Sequence, residues 1–517
     1  SIFDNVEAVF DYREYGQPRS RNKPASGTMR ARQIHYDAEA RLTSLTELEG
    51  RAWPGPVLRL FMPVTAGTVE RNYRFRNPPG LSVNGVIDHL DPGERTDVLT
   101  EIEAEGLTDY TFLEKPLELA DLTARVRSRH LRNDVLNLSM RTLGGTIQGE
   151  VIHHSEPNRV SARLQLQDLD TARLGRTYQL PKPAPGSLTA FISAEATEEQ
   201  VEDGNGQWKA SGTCTLGSCS YNGVAFTGGT TRFQADSEGS TWTEGKLNFD
   251  YSSYPPYQQH GGPESADVEF ERIQFKRTTG LTELENLRGT AWPAPILRLF
   301  DPEAADFVES TFGFHRAPVI RSTGRYDHQK NGTRTLFESS VTSEDVIDYK
   351  FLGRTLQLTG ATARITTSPR RHEVTDLSLQ AFGGTVGGKV TVTTDPENPS
   401  RTNAGIRWDN LSLENIGRTF DFEKAAQGSI TGRIDFTTLA GQTDSFNGEG
   451  VIGLRDGQLF NVPVFGPLSP PLGTVLGRTF SHEQARDASA SFVFRNGVAF
   501  TQDFLTSTPS TTFVGEG

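Results

Sequence analysis

Val160-Ser161-Ala162-Arg163-Leu164-Gln165-Leu166-Gln167 alternates apolar and polar residues without a break. Successive side chains of a strand point to opposite faces, so this stretch predicts a strand with one apolar and one wet face. Leu188, Ala190, Ile192 and Ala194 continue the pattern, with Phe191 as an outward exception. Ile430, Gly432, Ile434 and Phe436 repeat that set 242 residues later, with Ile406 and Trp408 upstream of them. Val268 and Phe270, Ile273 and Phe275, and finally Phe492 and Phe494 extend the theme.

The alternation belongs to an internal duplication. Trp53-Pro54-Gly55-Pro56-Val57-Leu58-Arg59-Leu60-Phe61 returns as Trp292-Pro293-Ala294-Pro295-Ile296-Leu297-Arg298-Leu299-Phe300, 239 residues later. The same spacing relates Phe10-Asp11-Tyr12 to Phe249-Asp250-Tyr251, Asp88-His89 to Asp327-His328, and Gly144-Gly145-Thr146 to Gly383-Gly384-Thr385. Gly175-Arg176-Thr177-Tyr178 and Gly417-Arg418-Thr419-Phe420 are 242 residues apart. A long repeat argues for a modular β-array whose function lies along a surface. The reading divides the chain into a first repeat over 1–240 and a second over 241–517, in a continuous array truncated at both ends.

Composition agrees. The 517 residues are 35% hydrophobic with 51 Gly, lean for one large core and sufficient for a thin sheet. The net charge of -13 disfavours sequence-independent nucleic-acid binding, which needs Lys and Arg against phosphates. The basic clusters at 19–23 and 369–372 read as solvated loop tips. Cys214 and Cys219 are the only cysteines, too few for a structural zinc site. They either close a small disulfide loop or remain free thiols. No apolar run is long enough for a transmembrane helix, and no signal peptide is present.

Turns are written in Gly, Asn and Asp. Asp203-Gly204-Asn205-Gly206 is one, and Arg455-Asp456-Gly457 and Arg495-Asn496-Gly497 read as β-hairpins. The Pro-rich stretches 15–27 and 252–265 are loops at equivalent places in the two repeats. Helices are few: 56–61 and 66–73 in the first repeat, and in the second a helix with Asp301 as N-cap and Pro302 as first residue. The expected fold is mainly β: thirty or so antiparallel strands in an elongated, twisted sheet, curled into a long groove with an apolar interior, plus a few short helices.

No residue pattern carries chemistry. Asp88-His89 and Asp327-His328 are adjacent strand residues, so their side chains diverge and favour a structural role. His153-His154 lacks further metal-ligand spacing. The chain has no His-Glu-x-x-His, Walker loop or Gly-x-Ser-x-Gly. It is therefore read as a non-enzyme without cofactor, catalytic residues or metal. Trp53 and Trp292 either bind headgroups or pack the helices onto the sheet, the latter being favoured.

Phe446-Asn447-Gly448-Glu449-Gly450-Val451-Ile452-Gly453-Leu454-Arg455-Asp456-Gly457-Gln458-Leu459, then Val462-Pro463-Val464-Phe465-Gly466-Pro467-Leu468, then Ala490-Ser491-Phe492-Val493-Phe494-Arg495-Asn496-Gly497-Val498, resembles the C-terminal region of AsmA-like proteins. The strand starts Leu143-Gly144-Gly145-Thr146 and Phe382-Gly383-Gly384-Thr385 are similar to that family's recurrent Phe-Gly-Gly phrase. The resemblance implies a β-groove in the periplasm of a Gram-negative-type bacterium, anchored in the inner membrane by an N-terminal helix absent from this chain. It further implies phospholipids as cargo and a partner at the outer membrane. The lipid-contacting face is then Val160, Ala162, Leu164 and Leu166; Leu188, Ala190 and Ile192; Ile406 and Trp408; Ile430, Ile434 and Phe436; Phe492 and Phe494. Small inward residues, among them Ala162, Ala190, Ala194, Gly432 and Ala490, favour a groove over a filled β-sandwich core. The alternative is a structural or interaction β-array that assists outer-membrane protein assembly or binds polysaccharide.

Overall fold

A computed structural model describes residues 1–12, 26–90, 93–112, 115–179, 184–197, 207–299, 301–329, 332–351, 353–395, 397–421, 427–457, 487–507 and 512–517. The chain is mainly β. Among the described residues, 31 strands form an antiparallel sheet in meander order, accompanied by seven short helices. The sheet is neither closed nor strongly curled, which corrects the curled groove expected from the alternation. That expectation assumed that the apolar face needs a cover along its whole length. Helices supply part of the cover, and the rest of the face stays half-exposed.

Two units can be distinguished: Ser1–Tyr221 with Ala225–Gly245, and Asn222–Val224 with Lys246–Gly517. In the first, one cross-strand row runs Val6, Ala31, Leu48, Val83, Thr100, Val126, Val135, Val151, Ala162, Ala194, Ala210, Ala235. Directly paired residues share a face, so this row is the spine of the apolar side. The second unit repeats it as Leu287, Ser322, Ser339, Ile365, Val374, Val390, Ala404, Phe436, Gly448, Phe494. The opposite face of both units is laced with ion pairs, such as Arg127–Asp97 at 2.6 Å and Arg288–Glu269 at 3.1 Å.

Period two fails at Leu45-Thr46-Glu47-Leu48, yet both leucines are buried. A bulge with Glu47 in the left-handed region (φ 49°) inserts the extra residue and restores the face. Asn286 (φ 49°) does the same between Leu284 and Leu287. Asn137 and Asp376, and Asp168 and Asn410, are further left-handed pairs at the repeat spacing. Duplication thus preserved the kinks as well as the side chains. Gly149 (φ 150°) and Gly388 (φ 155°) face two of these bulges, and a Cβ there would lie 2.0 Å from the Arg163 carbonyl oxygen or 2.2 Å from that of Gly405. Gly149→Ala or Gly388→Ala is expected to cost about 1–3 kcal/mol, measured by urea unfolding, with no change for an alanine at the open turn glycine Gly441 beyond its own φ penalty.

In the first unit a helix covers the start of the apolar face through Val57. Pro54–Phe61 and Pro63–Asn72 in the first unit, and Pro293–Arg298 and Pro302–Thr311 in the second, place Pro at their first positions. Asp301 caps the last of these, accepting from Ala304 N at 3.0 Å. Sequence reading missed Thr171–Thr177, Pro255–His260 and Leu413–Thr419. Asp170 and Ser412 cap the first and third, and the Gly-Arg-Thr phrase recognised as a repeat marker is the last turn of each. Asn496-Gly497 forms the expected hairpin turn (φ 48° and 78°). Asp456-Gly457 does not, because both edges of Gln442–Arg455 are taken, by Ser429–Leu439 and by Asp487–Arg495. The loop residues 15–25, the turn at 203–206 and the segment 458–468 lie outside the described residues.

Candidate functional site

Burial changes along the apolar spine. Near the helices Met29, Leu45, Leu48, Leu81 and Val98 are buried against Val57. Beyond them, Val160, Ala162, Leu164 and Leu166 on Asn158–Asp170 are half-exposed, while Arg163, Gln165 and Gln167 on the other face are exposed. Leu188 and Ile192 on Ser187–Thr197 are also half-exposed, whereas Ala190 is buried. The pairs Ala162–Ala194, Leu164–Ile192 and Leu166–Ala190 bring the expected residues of these two strands onto one surface. The flanking strands add Gly212 opposite Ile192, and Phe233 opposite Gly212.

The second unit assembles the equivalent surface. Ile406 pairs with Ile434, Trp408 with Gly432, and Leu411 with Ile430. Gly450 lies between Ile434 and Phe492, and Gly448 between Phe436 and Phe494. Ile406, Trp408, Ile430, Ile434, Phe436, Phe492 and Phe494 are all half-exposed. Within each unit these residues share one face of the sheet.

Sequence reading missed three aromatic members. Phe446 stacks on Phe436 with ring centres 4.9 Å apart and meets Phe494 edge-on at 5.1 Å. Phe233 and Trp242 pair at 5.5 Å in the first unit. The signal was present as period-two spacing from Phe446 to Gly448, Gly450 and Ile452.

The two surfaces differ in relief. In the first, the spine over these strands is a track of alanines, Ala162, Ala194, Ala210 and Ala235. In the second, Gly432 and Gly448 do not leave room. The Trp408 indole stands 2.7 Å from where a Gly432 Cβ would lie, and Phe436 2.8 Å from that of Gly448. A shallow concavity of about 650 Å³ lies instead over the polar side, among Lys389, Thr391, Asn403, Asp435 and Glu449. A second, of about 530 Å³, lies beside Thr171–Thr177 in the first unit, against Leu117, Arg141 and Arg173.

The paired Asp-His motifs are fasteners. Asp88 accepts from Arg95 Nε and Nη2, each at 3.0 Å, and from the Leu90 and Arg95 amides. Arg95 also donates to the Ala40 carbonyl, tying two loops together. Asp327 and Arg334 repeat each bond, with the Thr279 carbonyl in place of Ala40. His89 and His328 turn away to Thr43 and Thr282, at 2.7 and 2.8 Å. The Arg95 and Arg334 hydrogen bonds hold both carboxyls at about 2, below the usual 3.8. A depressed carboxyl stabilises the fold above its unfolded value and loses that contribution as pH falls through its folded one. Asp327→Asn should thus lower stability at neutral pH, and the gap from wild type in urea unfolding should close between about pH 3.8 and about 2.

Trp53 and Trp292 pack rather than face solvent. Each is 1% exposed and donates its indole N–H, to the Phe75 and Phe314 carbonyls at 3.2 Å. Cys214 and Cys219 are free, half-buried thiols, and burial raises both pKa values. No helix among the described residues is long and apolar enough to cross a membrane. No family model, curated protein or solved structure matches this chain.

Proposed function

We propose that this chain is a non-enzymatic carrier of phospholipids, whose acyl chains lie along the half-exposed apolar face of its sheet. One observation carries the reading: the same cross-strand row occurs in both units, and its apolar members are half-exposed on Asn158–Asp170 and Ser187–Thr197 in the first and on Arg401–Ser412, Ser429–Leu439 and Asp487–Arg495 in the second. Monomeric proteins rarely leave a contiguous apolar surface of this kind without a use for it. An acyl chain laid on it gains roughly 0.8 kcal/mol per buried methylene. Equivalent rows on successive strands provide near-equal sites, so the lipid slides rather than locks. The charged opposite face keeps the sheet in water. With the resemblance to AsmA-like proteins, the setting is the periplasm, between an inner-membrane anchor outside this chain and an outer-membrane partner.

Native mass spectrometry with lipid extraction tests this. Co-purifying phospholipid, or uptake of labelled phospholipid from vesicles, is the expected result. A folded, lipid-free chain that takes up none overturns it. In that event a second reading gains ground, an interaction array that uses its polar side. The observation favouring it is the concavity among Lys389, Asn403, Asp435 and Glu449 in the second unit.

A further inference from the structure

In the second unit, His260, His315 and Asp348 converge. The two imidazole rings stack with centres 3.7 Å apart and planes within 8°. His315 Nε2 lies 2.8 Å from Asp348 Oδ2, and one ligand atom from each of the three residues falls within 4.8 Å of the others. The group is assembled by three elements. His260 ends the Pro255–His260 helix, His315 follows the short strand Phe312–Phe314, and Asp348 sits in Ile347–Phe351 opposite Gly313.

The duplication supplies a comparison inside the same molecule. Where the second unit has His315 and Asp348, the first has Arg76 and Asp109, joined by an ion pair at 2.7 Å. Arg76 also reaches Glu118, whose counterpart is Gln357. The first unit thus neutralises its carboxylates with a permanent cation. The second has removed that cation and one carboxylate, and has brought in two imidazoles. Two rings beside one carboxylate bring nitrogen and oxygen donors to face one another. The loop that delivers His260 is seated by design: Tyr254 packs on Trp292 with ring centres 5.5 Å apart, and Gly261 and Gly262 take positive φ to leave the helix.

We propose that His260, His315 and Asp348 bind one divalent transition-metal ion of the zinc class. Two imidazoles and a carboxylate form a donor set suited to that class, with water completing the coordination. Zinc holds nitrogen and oxygen ligands at about 2.0–2.2 Å, so the three groups must draw closer together. Exposed His260 can supply that movement. The ion would pin the 252–264 loop to the strand pair 312–314 and 347–351.

The test is binding of Zn²⁺ against a chromophoric competitor, and of Co²⁺ by its visible absorption. Both are run in a Cys214→Ser, Cys219→Ser background, which removes competing thiol ligands. One ion per chain is expected. His260→Ala and His315→Arg should each weaken binding by on the order of 10- to 100-fold, the size seen even for outer-shell partners of metal sites. His315→Arg recreates the Arg76–Asp109 arrangement of the first unit, so its fold has a precedent in this chain. Its circular dichroism should match the background protein. Equal Zn²⁺ affinity in that folded variant, or absence of a Co²⁺ band in the background protein, overturns the proposal.

Discussion

Aspartate at Leu164 and Ile192 together is expected to strip phospholipid from the purified chain while the sheet stays folded. The two residues are directly paired, half-exposed and central to the alanine track of the first unit. A lipid tail crossing them would leave about four methylenes against two carboxylates. At about 0.8 kcal/mol each this is a loss of about 3 kcal/mol, on the order of a hundredfold in occupancy. The fold pays less, because each carboxylate keeps access to water. Two controls separate contact from general damage. Gln165→Asp adds charge on the opposite face of the same strand and should load normally. Ile434→Asp tests the equivalent surface in the second unit, where the relief is aromatic. Normal lipid content in the Leu164→Asp, Ile192→Asp protein would sink the assignment of this face.

The apolar face was legible because period-two alternation is a property of the strand alone. What runs over a face is not. The cover above Met29, Leu48 and Leu81 comes from Val57, on a helix between two strands, and nothing in the strands' own pattern tells them apart from Leu164 and Ile192. Bulges were legible only in part. Leu45 and Leu48, like Leu284 and Leu287, violate the period by one residue, yet the rule to infer a bulge needs the partner's register. The room expected above Gly432 is absent for the same reason. Gly432 is small, but Trp408 on the neighbouring strand occupies the space above it. The helix at Thr171–Thr177 was missed because its cap, Asp170, is itself the last residue of a strand and the helix has only seven residues. The His260, His315 and Asp348 group was invisible because its members are far apart in sequence and meet only through the pairing of Phe312–Phe314 with Ile347–Phe351 and the placement of the Pro255–His260 helix. One signal was available: comparing the repeats position by position exposes Arg76 against His315.

Trp292→Ala should be the most destabilising single change in the second unit that leaves the backbone's own preferences alone. Its ring is almost wholly buried, meets Tyr251 edge-on at 4.7 Å and Tyr254 at 5.5 Å, and its N–H satisfies the Phe314 carbonyl. Deleting a buried Trp costs about 3–5 kcal/mol, through lost burial and the cavity left behind. Trp292→Phe keeps most of the ring and loses the hydrogen bond, so a smaller cost of about 1–3 kcal/mol follows from the unpaired carbonyl. Trp53→Ala should behave alike in the first unit, where Trp53 meets Tyr12 at 4.3 Å and donates to Phe75. The second unit carries an extra consequence. Tyr254 rests on Trp292, and a Cβ on Gly262 would lie 3.4 Å from the indole, so the loop bearing His260 is seated on this ring. Removing the ring frees the loop, and Zn²⁺ affinity should fall together with stability in Trp292→Ala but much less in Trp292→Phe. Urea unfolding gives the first quantity and metal competition the second. Full stability in Trp292→Ala would mean that the ring is not the anchor its burial implies.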